Sequence, residues 1–259
     1  MRNALALALA LGLVAACSSS SSPDGGPSAA EDAGSTGNDA GSTIDAGHVV
    51  DASEPTEASV TDAGDEIAQL LALTSTCAKK VSTAPLALNA GDTPTVDVCG
   101  LTGALFWKAD MDIDCDGKQT TQCNTGTDPD YQDSTAANDS KGNPLDAASL
   151  PYVVVPGKSS KFDAAGAGLS KGAVILVLYN KKIGWAVYGD VGPSADIGEA
   201  SYATAVELGV DPDPSNGGVD AADVLYVAFT GTDSIVKPIE DHAAAVTLGE
   251  AKLKTLLGD

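Results

Sequence analysis

Arginine is almost missing from this 259-residue chain: Arg2 is the only one, and the only histidines are His48 and His242. A hydrolase built on a Ser-His-Asp or Cys-His relay needs a well-placed imidazole. His48 stands in a polar low-complexity stretch and His242 in a peripheral helical segment, so neither suits that task. No Cys-x-x-Cys pair occurs, which argues against a zinc site. The glycine-rich signatures of nucleotide binding, the P-loop and the dinucleotide fingerprint between strand and helix, are absent too. The formal net charge is −22. That excess of acid speaks against nucleic acid and anionic membrane surfaces as partners and favours a cationic ligand, although solubility alone is the commoner reason for an acidic domain. What is left for chemistry is carboxylate. Two carboxyls suffice for glycoside hydrolysis, one protonated for the leaving oxygen and one ionised for water.

Residues 1–17 hold one Arg, an apolar run and small residues before Cys17, the pattern of an export signal. Val14-Ala15-Ala16-Cys17 resembles the bacterial lipobox. The resemblance implies lipidation of Cys17 and anchoring at the outer membrane or cell surface, with membrane contact limited to the anchor; simple secretion is the alternative. Residues 18–64 are rich in Ser, Asp, Ala, Gly and Thr, repeat Asp-Ala-Gly at 32–34, 39–41, 45–47 and 62–64, and lack aromatic, Lys and Arg side chains. Such a segment cannot bury enough apolar surface to offset its ordering entropy, so a disordered acidic tether is expected. Residues 65–259 are long enough for one compact core and are expected to act as a monomer.

Four cysteines follow the leader: Cys77, Cys99, Cys115 and Cys123. An even count in an exported chain points to two disulfides. Three pairings are open, of which we favour Cys77–Cys99 with Cys115–Cys123.

Acidic residues followed by apolar spacing predict a short helix over 65–74. A strand through Phe106 and Trp107 runs into Asp110, Asp112, Asp114 and Asp116. A period of two puts these carboxylates on one face, opposite Met111 and Ile113 on the core face. Such a row repels itself unless a cation faces it. The run has a second reading, since Asp112-x-Asp114-x-Asp116-Gly117 copies half of a calcium loop; the twelfth position, however, is Cys123 and not Glu. A third is a solvated strand edge. Residues 151–156, 173–179 and 224–229 read as further strands, the second buried on both faces. A helix over 241–257, weakened by Gly249, closes the pattern. Strands outnumber helices, so a mainly β domain of barrel type is expected.

The stretch Gly184–Gly209 carries the chemistry. A strand with Trp185 and Val187 on alternate positions delivers Asp190 at its end. Gly192-Pro193 breaks the ladder, Ile197 restarts it, and Glu199 precedes a small-residue helix over 201–208 that Gly209 stops. Two carboxylates thereby meet across one turn. The plainer alternative is that Asp190 caps the turn and Glu199 merely favours a helix N-terminus.

The segments Ala109–Gly117, Tyr131-Gln132, Pro151–Pro156, Gly189-Asp190 and Gly198-Glu199-Ala200-Ser201 together resemble the fungal-type chitosanases of glycoside hydrolase family 75, over roughly residues 75 to 235. The resemblance implies endo hydrolysis of β-1,4-linked glucosamine chains with inversion, no cofactor or metal, and Asp190 and Glu199 as the catalytic pair. Val191-Gly192-Pro193 stands where that family more usually has Thr-Asn-Gly. The substrate would be a cationic polysaccharide, chitosan, whose ammonium groups pair with Asp110, Asp112 and Asp114; Tyr131 and Trp185 are the aromatic candidates for sugar contact. A weaker resemblance links the Gly189–Gly209 stretch to rare-lipoprotein-A-like lytic transglycosylases, expansins and family 45 endoglucanases. It implies a six-stranded double-psi β-barrel with a few short helices. The competing functions are accordingly a peptidoglycan lytic transglycosylase and a non-catalytic module that binds wall polysaccharide.

Overall fold

The computed structural model describes residues 58–258. The stretches read above as an export signal with Cys17 and, as far as residue 57, as a tether lie outside the described residues. Three helices, α1 (Ala58–Leu73), α2 (Tyr202–Leu208) and α3 (His242–Leu257), accompany seven strands. These are β1 (Cys99–Leu101), β2 (Ala104–Asp114), β3 (Tyr152–Pro156), β4 (Val174–Tyr179), β5 (Lys182–Gly192), β6 (Glu199–Ser201) and β7 (Val219–Phe229).

The strands run in the order β2-β6-β3-β5-β4-β7, and β7 pairs back onto β2, which closes a barrel of six; β1 is a short antiparallel extension of β2. Pairs β2–β6 and β3–β5 are parallel and the other ring pairs antiparallel. This is a mainly β, closed barrel of six strands, as expected from the sequence. Alternation along each strand sorts its side chains into two apolar layers. Trp107, Met111, Val153, Ile175, Tyr188 and Tyr226 belong to one, inside the ring. Phe106, Tyr152, Leu176, Trp185 and Val227 belong to the other, where Leu70 of α1 and Leu253 of α3 cover the outer wall. Trp107 and Tyr226 stack at 5.4 Å between ring centroids. β4 is buried on both faces, as its unbroken apolar run requires.

Two boundaries differ from expectation. Helix α1 begins at Ala58, inside the stretch assigned to the tether, because the sequence there has no apolar stripe to announce it before Ile67. Strand β7 begins at Val219 and not Val224, because its first residues pair with β2 beyond a bulge between Ala109 and Met111 and are largely exposed. Both favoured disulfides are formed, with Cα–Cα distances of 5.4 Å for Cys77–Cys99 and 4.9 Å for Cys115–Cys123. Among the described residues no helix is long and apolar enough to cross a membrane.

Candidate active site

Four neighbouring strands bring one lateral row of positions to the outer face of the barrel. Asp112 of β2 is in register with Glu199 of β6, Glu199 with Val154 of β3, and Val154 with Asp190 of β5. Simple alternation would not have aimed Asp190 there. Tyr188 faces the interior with its partner Val153, but the next register pair is Val154 with Asp190, so β5 carries one extra residue, Gly189. A bulge of this kind re-aims the side chain that follows. Gly189 is fitting at that point, since a Cβ would lie 2.6 Å from Cβ of Tyr152.

Glu199 is held by what comes after it. Ser201 caps α2 by accepting from the amide of Thr204, and Gly209 ends the helix at φ 72°. The Ser201 hydroxyl also donates to the Leu150 carbonyl and accepts from the Tyr152 amide, both at 2.9 Å. The short strand β6 is thereby locked to β3 at full burial. Gly192 completes the pocket around Glu199: a Cβ there would meet Cγ1 of Val154 at 2.9 Å and Oε2 of Glu199 at 3.2 Å.

Asp112, Glu199 and Val154 of this row line a cleft of about 590 Å³ together with Asp114 and Asp116, while Asp190, at the end of the row, is buried behind that lining and is not part of it. Asp128, Asp130, Asp196 and Asp220 reach the cleft from loops and from the start of β7. Among the described residues eight carboxyls line the cleft, and no Lys, Arg or His does. Crowding and burial move their proton affinities. Burial first, then the charges of Asp114, Asp112, Asp116 and Asp190, push Glu199 up to about 9. Burial takes Asp114 to about 7 against a hydrogen bond from the Asp116 amide, and one of its oxygens, Oδ2, is buried with no hydrogen-bond partner. Burial also takes Asp116 to about 6. Asp190 is raised by burial as well, but the amides of Ala136 and Val191, each 2.7 Å from Oδ1, and the charge of Lys171 pull the other way. Glu199 has no comparable support for its anion. The pair is therefore asymmetric, with Glu199 the proton holder at neutral pH and Asp190 the better-stabilised anion.

Asp112 and Asp114 line the cleft as the alternation implied, with Met111 and Ile113 behind them in the interior layer. Asp110 does not. It is 1 % exposed, accepts a 3.2 Å bond from Asn89 and lies so close under Gly198 that a Cβ on that glycine would be 1.9 Å from Oδ1. Asn89 and Gly198 line the cleft in its place. Trp185 is likewise displaced from the site. It packs in the outer layer against α3, where a Cβ on Gly249 would sit 2.1 Å from its ring. Gly249, which read as a weakness of the helix, is what lets α3 approach. Tyr131 lies outside the acidic cleft in a second cavity that meets the first at Gln132. The calcium reading of 112–117 finds no support: Asp112 and Asp114 are strand residues, and among the described residues no three His, Cys, Asp or Glu side chains are grouped to hold a metal ion.

A barrel with a cleft whose titratable lining groups among the described residues are all carboxyls, Glu199 among them with a raised proton affinity, suits glycoside hydrolysis. The family follows from comparison. The model of the fungal chitosanases of glycosyl hydrolase group 75 matches residues 111–255, and the chain belongs to that family of chitosanase enzymes. Endo-chitosanase B of Aspergillus oryzae is 32 % identical over 165 residues, covering 57 % of this chain and 68 % of its own. An endo-chitosanase of Aspergillus oryzae strain ATCC 42149 / RIB 40 is 33 % identical over 161 residues, covering 58 % and 66 %. The aligned region thus spans about two thirds of the length of these relatives. Among solved structures, the Streptomyces papain inhibitor (SPI) aligns over 49 % of this chain and 94 % of its own at 17 % identity and a TM-score of 0.28, a likeness too low to bear on fold or function.

Proposed function

We propose that the acidic cleft binds β-1,4-linked glucosamine chains and cuts them internally by a single inverting displacement. Glu199 is the general acid and Asp190 the general base. The observation that carries this reading is that, among the described residues, the cleft is lined by eight carboxyls and by no basic side chain. A polymer bearing an ammonium on each unit neutralises such a lining, whereas an N-acetylated glycan leaves it self-repelling. Internal cleavage is the mode named for the Aspergillus relatives.

In the reaction Glu199 gives its proton to the glycosidic oxygen as the bond from that oxygen to the anomeric carbon breaks. A water on the opposite face attacks the anomeric carbon, and Asp190 takes its proton. The remaining carboxylates act on the ground state. Asp112, exposed on the cleft floor, pairs with substrate ammonium, and Asp114 adds to the charge that keeps Glu199 protonated. The protein works outside the cytoplasm, where its two disulfides are stable, tethered through a lipid on Cys17.

The test is the release of new reducing ends from chitosan and from peptidoglycan by the same preparation. Release from chitosan is expected. Release from peptidoglycan alone would assign the chain to the lytic-transglycosylase type, and binding without release would make it a polysaccharide-binding module.

A further inference from the structure

Beyond Gln132 lies a second cavity of about 990 Å³, which shares that residue with the acidic cleft. Its character is different. Lys118 and Lys141 line it together with Asp133 and Asp139, so cations balance anions where the first cleft has none. Lys118 is paired with Asp146 at 2.9 Å. Lys141 is exposed and forms no ion pair among the described residues.

The wall between the two cavities is preformed. The Gln132 amide donates to Asp116 of the acidic cleft at 2.6 Å. The Tyr131 hydroxyl donates to the Gly117 carbonyl at 2.7 Å, which fixes its half-buried ring. On the far side Asp139 accepts from the amides of Lys141 and Asn143 at 2.9 and 2.7 Å, so the loop that presents Lys141 is closed on itself.

We propose that this second cavity is the subsite for an uncharged, N-acetylated unit of the polysaccharide, next to a cleft that takes charged units. The inference rests on the chitosanase reading of the acidic cleft. A glucosammonium placed here meets Lys141 as well as Asp133 and Asp139, so it loses the uncompensated acid that would hold it in the first cleft. An N-acetylglucosamine meets no such cost. Its apolar face can lie on the ring of Tyr131, and its hydroxyls and acetamide can meet the side-chain amide of Gln119 and the side-chain carbonyl oxygen of Asn143, the Asn143 amide nitrogen being held by Asp139 at 3.0 Å. The two cavities together would then read the acetylation pattern along the chain, and cleavage of a mixed polymer would fall at a fixed distance from an acetylated unit.

The probe is an uncharged oligomer of N-acetylglucosamine, titrated into the full chain by calorimetry at low and high salt. Binding is expected, with little dependence on salt, about tenfold weaker in Tyr131→Ala and retained in Tyr131→Phe. On partially acetylated chitosan, one end of the products is expected to be enriched in acetylated units, and Lys141→Glu, an exposed change, reduces that enrichment. Failure of the wild type to bind the neutral oligomer, or equal binding by Tyr131→Ala with its thermal unfolding unchanged, would overturn the inference. So would product ends whose acetylation is random and indifferent to Lys141→Glu. Hydrolysis of fully deacetylated chitosan is measured in parallel. Its presence beside a negative result means that the subsite alone is wrong, and its absence removes the chitosanase reading and the inference with it.

Discussion

Asp190 of β5 and Glu199 of β6 are both in register with Val154 of β3, the one strand that separates them. Two strand spacings put their backbones about 9.5 Å apart. Inverting glycosidases hold their carboxyls about 6.5–9.5 Å apart to admit a water, and retaining ones about 5–5.5 Å. A backbone spacing of that size is compatible with the inverting displacement proposed above, and Gly192 keeps the space beside Glu199 free of a side chain.

The first expectation concerns that pair. Asp190→Asn and Glu199→Gln preserve size and remove proton exchange, so each lowers kcat by about two to four orders of magnitude with KM nearly unchanged. Wild-type activity declines as Glu199 loses its proton near pH 9, and on the acid side as Asp190 gains one above the ordinary aspartate value of 3.8. Steady-state kinetics on chitosan across this range check both limbs. Retention of most activity by Glu199→Gln would move the acid to another cleft carboxyl, with Asp114 next in line.

Asp112 tests substrate charge. It lies in the cleft with its side chain exposed and does not belong to the proton-exchanging pair. Asp112→Asn raises KM for chitosan with little change in kcat, and added salt raises the wild-type KM in the same direction by screening. A wild-type KM indifferent to salt would remove ammonium pairing from the account.

Buried carboxyls with raised pKa values couple stability to pH. Asp110 and Asp114 move from 3.8 to about 7 and Glu199 from 4.5 to about 9. Between the ordinary and the shifted values the folded state binds more protons than the unfolded one. The stabilisation is therefore complete below about pH 4 and is lost as pH rises through 7 and then 9. The melting temperature falls from pH 5 to pH 9, and Asp110→Asn, which stays neutral, flattens the part of the fall below about pH 7. A melting temperature that rises across this window would contradict the burial of these groups.

The parts of this site legible in the sequence are those that depend on neighbours along the chain. Glu199, the Ser201 cap and the Gly209 stop lie within one helix and its entry, and the alternation from Met111 to Asp114 is a property of one strand. Both disulfides join cysteines close in sequence. What escaped depends on distant contacts. Alternation alone places Asp110 with Asp112, but Gly198, from another strand's approach, closes over it. Trp185 looked available until Gly249 brought α3 against it. The aim of Asp190 needs a register shift between β3 and β5 that no local pattern announces. Asp128, Asp130, Asp196 and Asp220 come to the cleft from separate loops and a strand end, in ordinary polar surroundings that give no sign of convergence.

Anchoring can be tested apart from catalysis. Cys17→Ser removes the acceptor of the proposed lipid, so the protein moves from the membrane fraction to the soluble fraction of the producing cells with its activity intact. Unchanged partitioning would separate membrane association from Cys17.

The most direct measurement is the anomeric configuration of the first products, followed by proton magnetic resonance within minutes of adding the wild-type protein to chitosan. Attack by a water held between Asp190 and Glu199 on a β-linked chain releases the α-anomer first, which then equilibrates to the mixture. Initial appearance of the β-anomer, or no new reducing ends at all, would contradict the account.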